Sequence, residues 1–215
     1  MNIANNIIKN ALKNVYFVCG NACAGKTTLS RMLAGKHGFL LYDMDARYAE
    51  HRAVADEAHQ PEMCYHMKDH HAQWTRPISE QARWIMATMT EQAEMVLVDL
   101  MRLSQDRKVV ADVLYSPIYT PQLLNPRQIV FLTVDVSLIR RCYFNRPEKR
   151  GFYNFVAKQP LADVYFENIF RSLELTNRLE QQAMRESGFL MLERTENSTV
   201  ESTLAMLEAH FGLDS

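Results

Sequence analysis

The sequence predicts an α/β fold in which a parallel sheet is covered by helices on both faces. Strand-sized apolar runs alternate along the chain with segments of helical composition, which is the pattern of strands joined by right-handed crossovers. The 215 residues contain no internal repeat and no Pro/Gly/Ser-rich linker, and 47% are hydrophobic, as is ordinary for a globular chain. We therefore predict a single domain over residues 1–215.

Five apolar runs predict the strands of this sheet. The first is β-branched and aromatic and is bounded by Gly20. The third and fourth end in or near aspartates, which matters because parallel sheets bind ligands at the carboxyl ends of their strands. The predicted strands cover residues 15–19, 39–42, 109–114, 128–134 and 189–192.

The segments between the strands predict helices. One follows the first strand and ends near Gly38, and residues 79–104 show apolar side chains at helical spacing. A third helix is predicted from Pro160 to about residue 186, and a fourth opens with Ser198 and Glu201 as a capping box. Residues 46–77 break the rhythm with five of the seven histidines and two prolines, and predict an insert of short helices above the sheet.

The loop after the first strand matches a phosphate-binding pattern at every fixed position. Gly20-Asn21-Ala22-Cys23-Ala24-Gly25-Lys26-Thr27 has the form Gly-x-x-x-x-Gly-Lys-Thr, the Walker A pattern, between a strand and a helix. Lys26 is expected to bridge the β- and γ-phosphates of ATP, and Thr27 to give its hydroxyl to Mg²⁺. A chance match is the alternative, and the strand-loop-helix context argues against it. The predicted nucleotide-binding residues are Gly20, Asn21, Ala22, Cys23, Ala24, Gly25, Lys26, Thr27 and Thr28.

Aspartates at two strand ends are candidates for chemistry beside the triphosphate. Asp43 and Asp45 lie two apart, so both would leave a strand on one face, one as a base and the other beside the metal. The alternative for this pair is an Asp-rich turn or helix cap. Asp112 on the third strand is the expected Mg²⁺ partner, and Asp135 competes for that role.

A cationic segment follows the fourth strand. A solvated helix face is one interpretation of such a run. The other is a mobile arginine loop that neutralises charge on the transferring phosphoryl group, because Pro147 and Gly151 favour a loop. The cations are Arg140, Arg141, Arg146, Lys149 and Arg150.

The order of these motifs resembles the small P-loop kinases of the nucleoside-monophosphate-kinase group. The resemblance implies a three-layer P-loop NTPase fold with sheet order 2-3-1-4-5, an acceptor site over residues 45–80 and a lid over 140–158. It also implies Asp45 as base, Arg146 and Arg150 as lid arginines, and Arg194 in the segment that passes the adenine ring. The third strand continues into Tyr115-Ser116-Pro117, which matches neither adenylate nor shikimate kinases and argues against either substrate.

Two interpretations of the histidine-rich insert remain at this stage. His66 and His70 are one helical turn apart and, with His71 and His59, could bind zinc. The alternative, which site counting favours, is polar residues on an acceptor-binding insert.

The sequence as a whole predicts an ATP- and Mg²⁺-dependent phosphotransferase acting on a hydroxyl or phosphate of a small molecule. A regulatory ATPase or switch is the main alternative, and a nucleic-acid end kinase the weakest, because the net charge is −1. No run reaches the roughly 18 apolar residues of a membrane span, and no signal-peptide core or Cys-x-x-Cys pair is present. We expect a cytoplasmic monomer or homodimer without membrane or nucleic-acid partners.

Overall fold

The computed structural model of the chain describes residues 4–65, 69–195 and 197–213. Its strands pair in parallel in the order β2-β3-β1-β4-β5, which confirms the predicted α/β fold and sheet order. The strand bounds agree with the sequence prediction to within two residues. The strands are β1 (Val15–Gly20), β2 (Leu40–Asp43), β3 (Val109–Leu114), β4 (Ile129–Val134) and β5 (Leu190–Arg194).

Helices connect these strands and cover the sheet. The first, α1, precedes β1, and the next, α2, leaves the phosphate loop directly. The helices of the described residues are α1 (Asn5–Ala11), α2 (Lys26–His37), α3 (Met44–Val54), α4 (Pro61–Cys64), α5 (His70–Thr75), α6 (Ile78–Leu103), α7 (Leu138–Cys142), α8 (Arg150–Ala157), α9 (Ala162–Glu186) and α10 (Val200–Phe211).

Both faces of the sheet are buried, so successive residues of β1 enter different cores. Phe17 and Cys19 pack on one face with side chains of α6 and α9, whereas Val18 packs on the other with α2 and α10. A strand buried on both faces is apolar without alternation, which is why the run at residues 15–19 could be recognised. The three layers place the carboxyl ends of all the strands at one edge.

The insert and the lid segment share a small aromatic core. Trp74 of α5 is buried against Phe152 and Phe155 of α8 and against Tyr165 of α9. These side chains close the space between the short helices that precede α6 and those that follow β4. Of the predicted arginine loop, residues 143–149 are turns and a 3₁₀ turn (Pro147–Lys149) between α7 and α8, whereas Arg150 begins α8 and the loop prediction is wrong there.

Two helix starts also differ from the sequence prediction. The last helix is capped by Thr199, whose hydroxyl accepts from the Ser202 amide at 3.0 Å, so the predicted capping box of Ser198 and Glu201 is wrong. Ser198 instead accepts from the Thr195 amide in the preceding turn, at 3.0 Å. Pro160 lies before the first turn of α9 rather than in it.

Candidate active site

The phosphate loop, residues Gly20–Thr27, has a backbone that only glycine allows at its two ends. Gly20 has φ +138°, and a side chain there would overlap the Leu132 carbonyl of the neighbouring strand. Gly25 has φ +83°, and a side chain there would meet the guanidinium of Arg194. Both glycines of the motif therefore have a steric reason to be present. Cys23, with φ +67°, turns the middle of the loop, as expected for a backbone that points successive N–H groups inward.

Lys26 and Thr27 begin α2 at the end of this loop. Lys26 is buried, and its Nζ donates to the Asn21 carbonyl at 2.7 Å, so the lysine folds back across the loop. The amino end of a 12-residue helix carries partial positive charge toward the same point. The loop, the lysine and the helix together form an environment that favours a phosphate.

Asp112 stands beside these residues in the middle of β3. It is 6% exposed, and burial raises the pKa of its carboxyl, while the charge of Lys26 and the hydroxyl of Thr27 oppose that rise. Its strand neighbours in register are Val18 on β1 and Asp43 on β2. The parallel register brings together the carboxylates of Asp112 and Asp43, and the Thr27 hydroxyl at the start of α2 hydrogen-bonds Asp112 and lines the same cavity.

This donor set is compatible with Mg²⁺. The ion prefers oxygen ligands and is usually held by one or two carboxylates together with substrate phosphates and water, not by an all-protein cage. The described residues contain no group of three His, Cys, Asp or Glu side chains placed to bind a metal ion by themselves. A hydroxyl and two carboxylates beside a phosphate loop fit the ion that accompanies a nucleoside triphosphate.

Asp43 and Asp45 reach the same cavity, but not for the reason predicted. Asp43 ends β2 and caps α3 by accepting from the Ala46 amide at 3.2 Å, and Asp45 lies in the first turn of that helix. The prediction that both side chains leave a strand on one face is wrong, because α3 begins at Met44 and Asp45 is therefore helical. Both carboxylates nevertheless line the cavity with Lys26 and Asp112.

The lid segment contributes two cations to the cavity. Arg146 and Lys149 line it. Burial raises the pKa of the Cys23 thiol, and the charges of these two residues oppose that rise. Arg146 also lies over the Tyr143 ring at 5.1 Å and donates to the Tyr143 carbonyl at 3.3 Å. Burial raises the pKa of Tyr143 to about 12, so its hydroxyl stays protonated near neutral pH.

The remaining predicted arginines lie elsewhere. Arg140 pairs with Glu167 and Glu174 on α9, at 2.6 Å each, outside the cavity. Arg150 is exposed and is not among the residues that line the cavity. Asp135 is also exposed and accepts from the Ser137 amide at 2.7 Å, so it caps the turn before α7.

A buried carboxyl lies behind the loop, which the sequence reasoning did not find. Glu180 of α9 accepts from the Asn21 side chain at 2.6 Å, and the Asn21 carbonyl in turn holds Lys26. Burial raises the pKa of Glu180 to about 7, against the opposing effects of Asn21 and Lys26. In the sequence, the only indication of this role was that Glu180 is a charged residue within the apolar stripe of α9.

Arg194 ends β5 and packs on the loop from the other side. Its Nη1 donates to the Ala24 carbonyl at 3.2 Å, and it closes the space next to Gly25. No described residue accepts from its buried Nε. Arg194 thus lies beside the phosphate loop, and its contact with an adenine ring stays a prediction.

The cavity continues from the phosphate loop to α6 and has a volume of about 350 Å³, within the range of small-molecule sites. We call the part formed by α6 the acceptor wall, defined by Trp84, Ile85, Thr88, Met89 and Gln92. Thr88 and Gln92 are polar residues on the apolar face of a long helix. That interruption of the stripe was the sequence signal for the wall.

The insert histidines are engaged in packing and hydrogen bonds. His70 stacks on Trp74, and His71 Nδ1 is 2.8 Å from the Tyr165 hydroxyl. His59 pairs with Asp56 on the surface, and His66, the other member of the predicted zinc pair, lies outside the described residues.

Comparisons with known proteins identify no family for this chain. No protein-family model matches the chain, and no curated protein is similar to it in sequence. Among solved structures, the chain is similar to shikimate kinase from Acinetobacter baumannii in complex with shikimate, at 16% identity over 97% of each chain and a TM-score of 0.49. A similarity of this size does not identify a reaction or an acceptor. None of the helices in the described ranges is both long and apolar enough to cross a bilayer.

Proposed function

We propose that this chain is an ATP-dependent phosphotransferase that moves the γ-phosphate to a hydroxyl or phosphate of a small molecule. One observation carries the proposal: Lys26, Thr27, Asp45 and Asp112 line a single cavity whose far side is the acceptor wall. A binding protein for ATP alone needs the loop but has no need for a carboxylate facing a second compartment. A transferase needs both in one enclosed space.

Each residue that lines the cavity has a proposed role that follows from its position. Lys26 and the amides of the phosphate loop hold the β- and γ-phosphates, and bound Mg²⁺, held through Thr27, Asp112 and Asp43, supplies charge neutralisation. Arg146 and Lys149 face the same space from the lid and counter negative charge on the transferring group. Asp45 orients the acceptor hydroxyl and receives its proton. Arg194 supports the loop from the side opposite Glu180 through the Ala24 carbonyl. We propose that the adenine ring passes on this side.

The test is the Asp45→Asn variant, because it keeps the side-chain shape and removes the base. We expect ATP to bind with unchanged affinity, while acceptor-dependent ADP release falls by about 100-fold or more. Glu50→Gln is the matched control, since Glu50 lies on the same helix and pairs with Arg47 but does not line the cavity. It is expected to behave as wild type.

The same pair of variants separates the proposal from a nucleotide-dependent switch. In a switch, Asp45→Asn would hydrolyse ATP as wild type does, and no acceptor would raise ADP release in either protein. That result would refute the phosphotransferase.

A further inference from the structure

The acceptor wall itself consists of uncharged side chains. Arg76, which lies over the Trp84 ring at 5.7 Å, is not among the residues that line the cavity. Besides the five residues of α6, the uncharged side chains of Met44, Tyr48, Val113, Leu114 and Leu173 line the cavity. None of these carries a charge, and most are apolar. A ligand that packs here gains from burial of apolar surface.

Lys26, Arg146 and Lys149 are the cations that line the cavity in the described residues, and none of them belongs to the acceptor wall. Lys26 is held against the loop by the Asn21 carbonyl, and Arg146 and Lys149 lie over the Tyr143 ring at 5.1 and 5.5 Å. The carboxylates of Asp43, Asp45 and Asp112 line the same cavity. A carboxylate or phosphate packed on the acceptor wall would therefore lose its hydration without a cation of the wall to pair with.

The polar groups of the wall offer acceptors for hydrogen bonds. Gln92 Nε2 donates to the Met44 carbonyl at 2.8 Å and lies 3.4 Å from His51 Nδ1. His51 Nε2 faces the Asp99 carboxylate at 3.1 Å, so Nε2 carries the proton and Nδ1 accepts from Gln92. Both amide hydrogens of Gln92 are thus used, which leaves its carbonyl oxygen for a ligand.

Trp84 is fixed in a similar way. Its indole Nε1 donates to the Glu62 carbonyl at 3.3 Å, so the ring meets the cavity without a free donor. Thr88 lies one turn further along α6, and its hydroxyl is 3.5 Å from the same carbonyl. The wall presents an aromatic surface, aliphatic side chains and hydrogen-bond acceptors, which suits a neutral molecule that carries hydroxyl groups.

We propose that the acceptor is an uncharged organic alcohol whose apolar ring or chain packs on the acceptor wall; this inference rests on the proposed phosphotransferase. The alcohol oxygen forms a bond to the γ-phosphorus, the bond from that phosphorus to the β–γ bridging oxygen breaks, and ADP leaves. The hydroxyl proton passes to the Asp45 carboxylate. Gln92 accepts from a second hydroxyl and sets the orientation of the alcohol.

Matched pairs of probes test this inference on the full chain with Mg²⁺. Each pair joins a neutral alcohol to its anionic analogue, such as thymidine with thymidine 5′-monophosphate, or an aryl diol with the same diol bearing a carboxylate. Binding is measured by calorimetry with a non-hydrolysable ATP analogue, and turnover by ADP release with ATP. We expect the neutral member to bind at least about tenfold more tightly in each pair that binds, because the anion pays for desolvation.

A charge placed on the wall provides the second test. Ile85→Lys puts a cation on the acceptor wall and is expected to weaken the neutral probes about tenfold and to reverse the preference within pairs. Val98→Lys is the matched control, because Val98 is on the same helix and 62% exposed, away from the cavity. It is expected to keep the wild-type preference. If Ile85→Lys does not fold, the comparison of neutral and anionic probes on the wild-type protein still tests the inference.

The outcomes separate this inference from the proposed function. If the anionic probes bind more tightly and raise ADP release, the acceptor is not neutral, and the proposed phosphotransferase activity still holds. If the neutral probes bind but do not raise ADP release, the wall binds neutral molecules as inferred, and the proposed phosphotransferase activity is refuted. A panel from which nothing binds to the nucleotide-loaded protein would overturn the inference.

Discussion

The two ends of the cavity are constructed by different means. At the phosphate end, backbone geometry dominates: Gly20 and Gly25 have conformations and neighbours that exclude a side chain, and Lys26 is held by a carbonyl of the same loop. At the acceptor wall, side chains from separate elements meet, and their identity decides what fits. A loop that binds by backbone tolerates little change, whereas a wall made of side chains can change its ligand by substitution.

The largest effect is expected where the backbone itself is constrained. Gly20→Ala forces an L-residue to φ +138° and against the Leu132 carbonyl, and we expect it to lower the free energy of unfolding by about 4 kcal/mol, from strain and overpacking together. Gly35→Ala, in the exposed interior of α2 with nothing near it, is the control. It should raise stability by about 0.5–1 kcal/mol. Urea unfolding of both variants measures the difference, and equal stability of Gly20→Ala and wild type would show that the loop is not constrained in this way.

The next effect concerns charge at the phosphate end. Lys26→Met keeps the length of the side chain and removes its charge, and we expect acceptor-dependent turnover to fall by about 100- to 1,000-fold, as for other lost transition-state donors. Lys13→Met is the control, since Lys13 is exposed. Steady-state ADP release checks both variants. Turnover within about twofold of wild type in Lys26→Met would remove the lysine from the reaction.

Glu180 links the phosphate end to the pH of the solution. Its pKa in the folded protein is about 7, above its ordinary value of 4.5, so the folded state binds the proton more tightly than the unfolded state. Stability from this group is therefore complete below pH 4.5 and is lost as the pH rises to about 7. Glu180→Gln lacks this loss, and we expect its advantage over wild type to grow by up to about 3 kcal/mol across that window.

Denaturant unfolding between pH 4.5 and 8 measures this difference. Glu186→Gln, an exposed position on the same helix, should track wild type at every pH. An advantage of Glu180→Gln that stays constant with pH would mean that the carboxyl keeps an ordinary pKa in the folded protein.

The smallest effect distinguishes the two lid arginines. Arg146→Ala removes a cation that lines the cavity, and a loss of about tenfold in turnover is expected. Arg150→Ala removes an exposed side chain outside the lining and is expected to change turnover by about twofold or less. Parallel kinetics of the two variants decide the matter, and a larger loss for Arg150 would require the lid to rearrange when nucleotide binds.

The same contrast explains what could be predicted from the sequence. The strands and the phosphate loop follow from apolar runs and from glycines whose backbone role is local, whereas the order of the strands was implied by the resemblance to small P-loop kinases. The capping residue of α10 was misassigned by one position, because Ser198 and Thr199 are both suitable caps and only the preceding turn decides between them. The alternation argument for Asp43 and Asp45 failed because α3 begins at Met44, two residues before the predicted insert of short helices.

The acceptor wall could not be predicted because it depends on distant contacts. Gln92 offers its oxygen only because Met44 and His51, more than 40 positions away, use its amide hydrogens. Glu180 likewise acquires its role through Asn21, 159 positions away. The interrupted apolar stripes of α6 and α9 mark these positions in the sequence, but spacing and composition do not show which residues they contact.

The most direct test of the account is the balance of products with ATP, Mg²⁺ and a neutral alcohol that binds. The proposed phosphotransferase forms one phosphorylated alcohol for each ADP in the wild type, and Asp45→Asn forms almost none while still binding ATP. ADP that is matched only by inorganic phosphate, at a rate that neither the alcohol nor Asp45→Asn alters, would contradict the account.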